Sequence, residues 1–443
     1  MAFTQARGSQ RWHRLLPVVF VTYSFAYLDR SNYSLGAAGG LTTSLHITSA
    51  MAGLLAGVFF LGYFFFQIPA ARYAQRRSVT RLMFWSLVLW GIFASAQGVI
   101  PWVWLLLVDR FLLGVVEAAV IPAMLIFLMH WFRGDERGRA NTVLILGNPV
   151  TVMWMSVISG YLIAATSWRW MFIIQGLPAI AWAFVFRALT QDWPRQASWL
   201  NEPEKRGIED ALQDEQRSIP SLSGYLEALR SRNVIILAIQ YALWSLGVYG
   251  FVFWLPTIIK GASDQGIGNT GALSAIPYAA AAVLMLITSH FSDRSAKPRA
   301  WFVWPFLLAG AIAFYLSYVL HGQSFLVALI LLVIAGAVMY APYGPYFAYI
   351  SESLPGNAAG EATALVNSLG ALGGFAGAYV VGALSGTSAG VGLAFILMGL
   401  CLLAAAGLMI LVRNEPARMR QLRQARAAGN PPRATIQASR PGH

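Results

Sequence analysis

Two ionisable side chains stand in a stretch that ought to exclude them. From about Pro101 to Phe132 the chain is largely apolar, yet it carries Arg110 and Glu117. They are seven residues apart, hence two helical turns apart on one face of a helix. At ~1.5 Å per residue such a run is long enough to cross a bilayer. A charge at the bilayer centre costs at least ~2.5–3.5 kcal/mol, so both groups must face protein or a wet cavity. Arginine is permanently charged and offers a planar fork of donors to a carboxylate. A glutamate in the same place is pulled two ways, because burial disfavours its ionised form and a nearby arginine favours it. A cation that holds an anion beside an acid that exchanges a proton is one chemistry this pair can do. An inward ion pair that only staples helices together is the other.

A second pair lies at similar depth. The run Tyr27-Leu28-Asp29-Arg30-Ser31-Asn32 sits inside the first apolar stretch, with Asp29 ~21 Å from its start and past the middle of a ~30 Å hydrocarbon core. Two carboxylates and two arginines from different helices are therefore expected to meet.

The elements that position them follow from composition. The chain has 443 residues, 57% hydrophobic and only 11% charged, with mean hydropathy +0.59; a soluble protein has about 25% charged residues. The expected fold is all-α, a polytopic membrane protein with twelve spans at roughly 15–38, 50–71, 82–100, 102–132, 141–165, 170–189, 233–259, 271–291, 300–320, 325–350, 361–385 and 391–412. Cys401 is the single cysteine, so an intrachain disulfide is excluded and a thiolate metal site is not expected. No nucleotide loop, HExxH, GxSxG or zinc spacing occurs, so neither an enzyme nor a cofactor is expected.

The net charge of +13 does not indicate nucleic acid. All but four of the 31 Lys and Arg fall on the side that holds both termini; Arg30 and Arg110 lie within spans, and Arg169 and Lys260 in loops on the other side. The positive-inside rule places both termini in the cytoplasm of a multi-pass cell (inner) membrane protein. Arg7, Arg11 and Arg14 before an apolar run resemble a signal peptide, but the run is long and carries Asp29-Arg30, so a retained first helix is expected.

Short basic loops follow spans two and eight, from Arg72 to Arg81 and from Ser292 to Arg299. Each closes the second helix of a six-helix block, the trace of an internal repeat about an axis along the membrane normal. The expected organisation is a six-helix half over 1–189, a cytoplasmic connector over 190–232, a second six-helix half over 233–413 and a disordered basic tail over 414–443. Gly147-Asn148-Pro149 is expected to break its helix at membrane depth. Tyr340-Ala341-Pro342-Tyr343-Gly344-Pro345-Tyr346 is expected to kink the tenth span, with Tyr343 and Tyr346 lining a cavity. The glycines of the eleventh span are expected to allow close helix approach.

At these residues the chain resembles the major facilitator superfamily, in its anion:cation symporter branch, and most nearly the bacterial 2-ketogluconate transporters. The stretches that carry the likeness include Arg110-x3-Gly114-x2-Glu117-x4-Pro122, Phe253-Trp254-Leu255-Pro256, Gly62-Tyr63-Phe64-Phe65-Phe66-Gln67-Ile68-Pro69 and Leu146-Gly147-Asn148-Pro149. The resemblance implies that Asp29 and Glu117 carry protons and that Arg30 and Arg110 face the anion. It implies that Tyr63, Asn148 and Asn367 turn hydroxyl and amide groups to the substrate. The superfamily's gating loop maps to Arg72, Gln75 and Arg76, and its second copy to Asp293-Arg294. Gln75 and Ser78 depart from the Asp and Gly that the first copy usually carries, which implies a weaker or differently partnered lock in the first half.

The expectation is a monomeric secondary carrier that imports a sugar-acid anion, 2-ketogluconate or a related hexonate or hexuronate, together with protons. An aromatic or dicarboxylic acid, or anion exchange, is the alternative within the same class. A membrane scaffold or receptor is the alternative outside it, disfavoured by the repeat, by the abundant Gly and Pro, and by the lack of a sizeable soluble domain.

Overall fold

The computed structural model describes residues 2–132, 134–218, 232–263, 266–295, 297–320, 324–353, 356–386 and 390–412. The expected tail 414–443 and part of the connector, 219–231, lie outside the described residues. Helices α1 (Ala2–Gly36), α2 (Ser49–Arg76), α3 (Val79–Ala96), α4 (Val103–Glu117), α5 (Val120–Trp131), α6 (Gly134–Ala165) and α7 (Trp168–Leu189) come first. Then follow α8 (Glu202–Ser218), α9 (Arg232–Ser263), α10 (Ile267–Arg294), α11 (Trp304–Leu320), α12 (Phe325–Tyr340), α13 (Tyr343–Ser353), α14 (Gly356–Ser385) and α15 (Gly390–Leu411). No strand occurs among the described residues. Eleven helical stretches among them are long and apolar enough to cross a membrane. The remaining expected span, 15–38, is occupied by α1.

Helix starts carry the caps the sequence supplies. Thr48, Ser78 and Ser167 accept from the backbone N–H of Met51, Arg81 and Trp170, which satisfies orphan donors of α2, α3 and α7. Breaks inside spans follow proline chemistry. The fourth span is one apolar run in sequence but two helices in space, parted at Ala118 and Ala119. Pro122 has no N–H for the Ala118 carbonyl, and its ring crowds that carbonyl. The tenth span parts at Ala341 and Pro342, where Pro345 acts on the Ala341 carbonyl in the same way. The break expected at Gly147-Asn148-Pro149 is absent: α6 runs unbroken from Gly134 to Ala165 through Pro149. Gly147 instead lets α6 press against Tyr23 of α1.

The packing is two-fold in pattern. In the first half α1 packs on α6 and α7, α2 on α4, and α3 on α7; in the second α9 packs on α14 and α15, α10 on α12, and α11 on α15. Across the halves α2 packs on α14 and α10 on α6. Exchanging first six spans for last six turns each of these cross-contacts into the other, as a pseudo-two-fold axis requires. Both seams are glycine-lined. A Cβ on Gly53 would strike the Ala378 carbonyl, and Gly160 and Gly271 lie against one another. Lipid hydrocarbon gives helices no hydrophobic reason to associate, so close backbone approach supplies the contact.

Candidate functional site

The site is built where α1, α2 and α4 meet. Helices α2 and α4 cross so closely that a Cβ on Gly62 or Gly114 would collide with the carbonyl of Phe111 or Phe59. This crossing sets Phe59 and Tyr63 of α2 against Arg110 and Glu117 of α4. Helix α1 brings Arg30 over the same place.

Glu117 is fully buried, and its partner is Arg30 rather than Arg110. Arg30 Nε donates to Glu117 Oε1 at 2.6 Å, with Nη2 at 2.5 Å from the same oxygen. The Arg30 guanidinium lies over the rings of Tyr27 and Tyr63, each 4.9 Å from its Cζ, and 5.3 Å from that of Phe59. Its remaining arm, Nη1, reaches Tyr249 Oη on α9 at 3.3 Å. One guanidinium therefore touches α1, α4 and the opposite half.

Arg110 is differently held. It is 1% exposed, its Nε donates to the Leu55 carbonyl at 3.1 Å, and its Cζ lies 4.6 Å from the Tyr33 ring and 5.2 Å from that of Phe59. Nη1 and Nη2 are buried with no hydrogen-bond partner among the described residues. A buried charged group left without partners costs ~1–3 kcal/mol or more, and buried polar groups in folded proteins are nearly always paired. The backbone carbonyl and two rings fix the guanidinium and leave the forked edge that suits a carboxylate.

The other expected residues fall as follows. Asp29 lies on α1; its side chain is outside the described residues. Tyr63 joins the Arg30 cage. Asn148 is buried with Oδ1 unpartnered, and Asn367 is half-buried with Nδ2 unpartnered. Tyr343 packs against Trp244, with ring centroids 4.5 Å apart. The Tyr346 hydroxyl is committed to the Leu237 carbonyl at 2.7 Å. Arg72, Gln75 and Arg76 are exposed, as is Arg294, while Asp293 pairs with Arg299 at 2.6 Å. Ser78 and Thr80, beside Gln75, bind Asp192: the Ser78 hydroxyl donates at 2.6 Å and the Thr80 backbone N–H at 2.8 Å.

Two buried groups were not singled out by sequence reasoning. Asp109 is a further carboxylate on α4, 4% exposed, and its signal was a third ionisable residue in the same apolar run. Gln240 on α9 is fully buried with neither end of its amide hydrogen-bonded; an amide inside an apolar run was the available signal. The contrast with Gln175 is informative. Gln175 accepts from Asn32 at 3.2 Å and donates to Ser159 at 2.7 Å, a network within the first half that satisfies it.

A cleft of about 540 Å³ opens beside the site, where the segment that joins α1 to α2 faces α9. Tyr33, His46, Ser49, Ala56, Phe253 and Thr257 are among its walls.

Two helical halves related by a pseudo-two-fold axis, with buried charges where they face each other, define a membrane carrier and not an enzyme. Residues 19–378 match the Major Facilitator Superfamily, and the chain belongs to that family. It is 30% identical, over 91% of its own length and 90% of the other's, to a protein of Agrobacterium vitis that bears the name "Putative tartrate transporter". It is 30% identical to a quinolone resistance transporter of Acinetobacter baumannii, over 84% of this chain and 86% of that one. A solved D-xylose–proton symporter superposes with a TM-score of 0.75 at 15% identity, over 92% of this chain and 99% of that one. Identity that low speaks for the fold alone.

Proposed function

We propose that this carrier imports a small polyhydroxylated organic anion, 2-ketogluconate or a related hexonate or hexuronate, coupled to protons. The observation that carries the proposal is the buried, unpartnered fork of Arg110. A membrane protein that holds a bare guanidinium edge in its interior gains from a ligand carboxylate what it lacks without one. The unpartnered amides of Asn148, Gln240 and Asn367 suit hydroxyl groups, each of which needs a partner when buried. Glu117, the partner of Arg30, is the proposed proton carrier, with Asp29 as the second. The bias of Lys and Arg toward one side supports cytoplasmic termini and a cell inner membrane location. On that orientation the cleft faces outward.

One observation favours a second substrate class. The Phe59 ring lies against both Arg30 and Arg110, so two guanidinium groups flank one ring. A hydroxylated dicarboxylate of tartrate type would use both, and the similarity to the Agrobacterium vitis protein supports the same reading.

The test is uptake of labelled 2-ketogluconate, galactonate and tartrate into proteoliposomes with and without an imposed inward proton gradient. Gradient-driven accumulation that a protonophore abolishes is expected for the true substrate. Accumulation indifferent to the protonophore refutes coupling. Glu117→Gln is expected to keep counterflow exchange and lose uphill uptake; equal loss of both would place Glu117 in the structure and not in the coupling.

A further inference from the structure

The wall between the cleft and Arg110 is one aromatic ring thick. Tyr33 lines the cleft, and the same ring lies 4.6 Å from Arg110 Cζ. Ala52 and Ala56, which line the cleft with it, belong to the stretch of α2 whose Leu55 carbonyl holds Arg110 Nε. The Tyr33 hydroxyl donates to the Ala52 carbonyl at 2.9 Å, which pins the ring in place from within its own half. From the other half, Phe253 meets it edge-on, with centroids 6.3 Å apart. Phe253 lines the cleft too, and on its inner side it packs with Phe60 and with Tyr249, the residue that touches Arg30.

The backbone beyond Tyr33 leaves the regular helix. Helix α1 ends in a kink across Ala37–Leu41, where Gly40 has φ 120°, a conformation that other residues rarely adopt. Across the halves, Lys260 Nζ donates to the Ala38 carbonyl at 2.6 Å, and Gly39 fits between Ile163 of its own half and Ile267 of the other. The contacts that hold the tip of α1 to the second half include the Lys260 hydrogen bond, the Tyr33–Phe253 ring contact and the fit of Gly39 against Ile267.

We infer that Tyr33, backed by Phe253, is the gate between the cleft and the anion-binding arginine. This rests on the proposed reading of Arg110 as the anion's partner. While the gate is shut, the Tyr33 ring covers the face of Arg110 and offers a cation–π contact in place of water. When the halves part at the cleft end, Phe253 leaves with α9, the Lys260 hydrogen bond breaks, and Tyr33 keeps its bond to Ala52 and its contact with Arg110. The ring can then swing aside, and an anion waiting in the cleft meets the guanidinium fork. The gate closes through rings and not through an ion pair.

The test puts a thiol at the guarded position and needs no substrate. Arg110→Cys is reacted in sealed membrane vesicles with a membrane-impermeant cationic methanethiosulfonate, applied from the side on which the exposed cleft-mouth variant Thr43→Cys is labelled. Tyr33→Ala in that background is expected to raise the labelling rate at least tenfold. Phe253→Ala is expected to raise it as well, and Tyr33→Phe, which keeps the ring, to leave it within twofold. Buried native Cys401 reports unfolding and is expected to stay unlabelled in every variant; if Tyr33→Ala exposes it, the Phe253→Ala rate decides the matter. Rates unchanged in both alanine variants, or a Tyr33→Phe rate equal to that of Tyr33→Ala, would overturn the gate. Because the reporter lacks Arg110, that outcome leaves the anion reading untouched. The anion reading fails separately, if Arg110→Ala still binds substrate.

Discussion

Arg110→Ala tests the anion site most directly, and the structure sets the size of the effect. The guanidinium has two Nη groups without protein partners and one Nε already committed to Leu55. A substrate carboxylate would engage the two free groups as charge-assisted hydrogen bonds, worth ~1.5–3 kcal/mol each. Losing both removes ~3–6 kcal/mol, which at ~1.4 kcal/mol per tenfold weakens binding about 100- to 10,000-fold. Arg110→Lys keeps the charge but presents a point donor without the fork, and is expected to fall about 10- to 100-fold. Arg110→Met gives an opposite readout. With no ligand bound it removes a buried charge whose edge is unsatisfied, so the melting temperature of the purified protein is expected to rise while the substrate-induced shift disappears. Calorimetric binding and a thermal unfolding series on the same preparations supply both numbers. An Arg110→Ala protein that binds the anion as tightly as its parent, or an Arg110→Met protein that melts lower, would mean that the guanidinium is a structural tie and that the argument from its bare edge is wrong.

Two further predictions concern the scaffold. Gly114→Ala drives a Cβ into the Phe59 carbonyl at the crossing that sets the whole site; backbone cannot yield as a side chain can, so a loss of at least ~1–3 kcal/mol is expected. It should appear as poor recovery of monodisperse protein and as loss of uptake, and parent-like uptake would count against the crossing as the site's foundation. Asp192→Ala removes the acceptor of Ser78 and Thr80 and is expected to cost ~1–3 kcal/mol of stability. Its anion affinity, measured by the same calorimetry, is expected to match the parent; a large loss of affinity would link this loop to the substrate site.

What the sequence made legible depended on the kind of signal. Spans were legible because lipid demands ~20 apolar residues per crossing, a constraint that no packing detail overrides. Buried charges were legible because their cost in hydrocarbon demands a reason. Their partners were not. Arg110 and Glu117 share a helix face but stand two turns apart, too far to pair with each other, and the sequence could not say that Glu117 would bind Arg30 of α1. Proline was read with mixed success for a physical reason. Pro122 and Pro345 part their helices, whereas Pro149 is carried through an intact α6; the sequence does not say whether neighbours will re-satisfy the freed carbonyl. The departures at Gln75 and Ser78 pointed to a weaker or differently partnered lock in the first loop; that Ser78 binds Asp192, just beyond α7, was beyond reach without coordinates. Gln240 was overlooked because one amide in an apolar run looks the same whether or not its hydrogen bonds are met.

On the proposed reading, coupling follows from charge matching at Arg30. Its Nε and Nη2 are committed to Glu117, and Nη1 reaches across to Tyr249 in the other half. Protonating Glu117 without supplying an anion strands the Arg30 charge inside the protein. Supplying an anion without the proton sets a second negative charge at Arg110, two helical turns from Glu117, and like charges ~10 Å apart repel by ~1.7 kcal/mol at an effective dielectric of 20. The two matched states, with both proton and anion or with neither, are then the low-energy ones. A carrier whose halves exchange position only in matched states is a symporter, since neither species crosses alone. Arg30 is placed to transmit the match to the movement, because the same guanidinium that reads the carboxylate also holds Tyr249 across the interface. Tyr249→Phe removes only that reach, so it should leave equilibrium anion binding close to the parent while loosening the dependence of transport on the proton gradient. A variant that transports with unchanged coupling would mean that the match at Arg30 is communicated to the halves by another route.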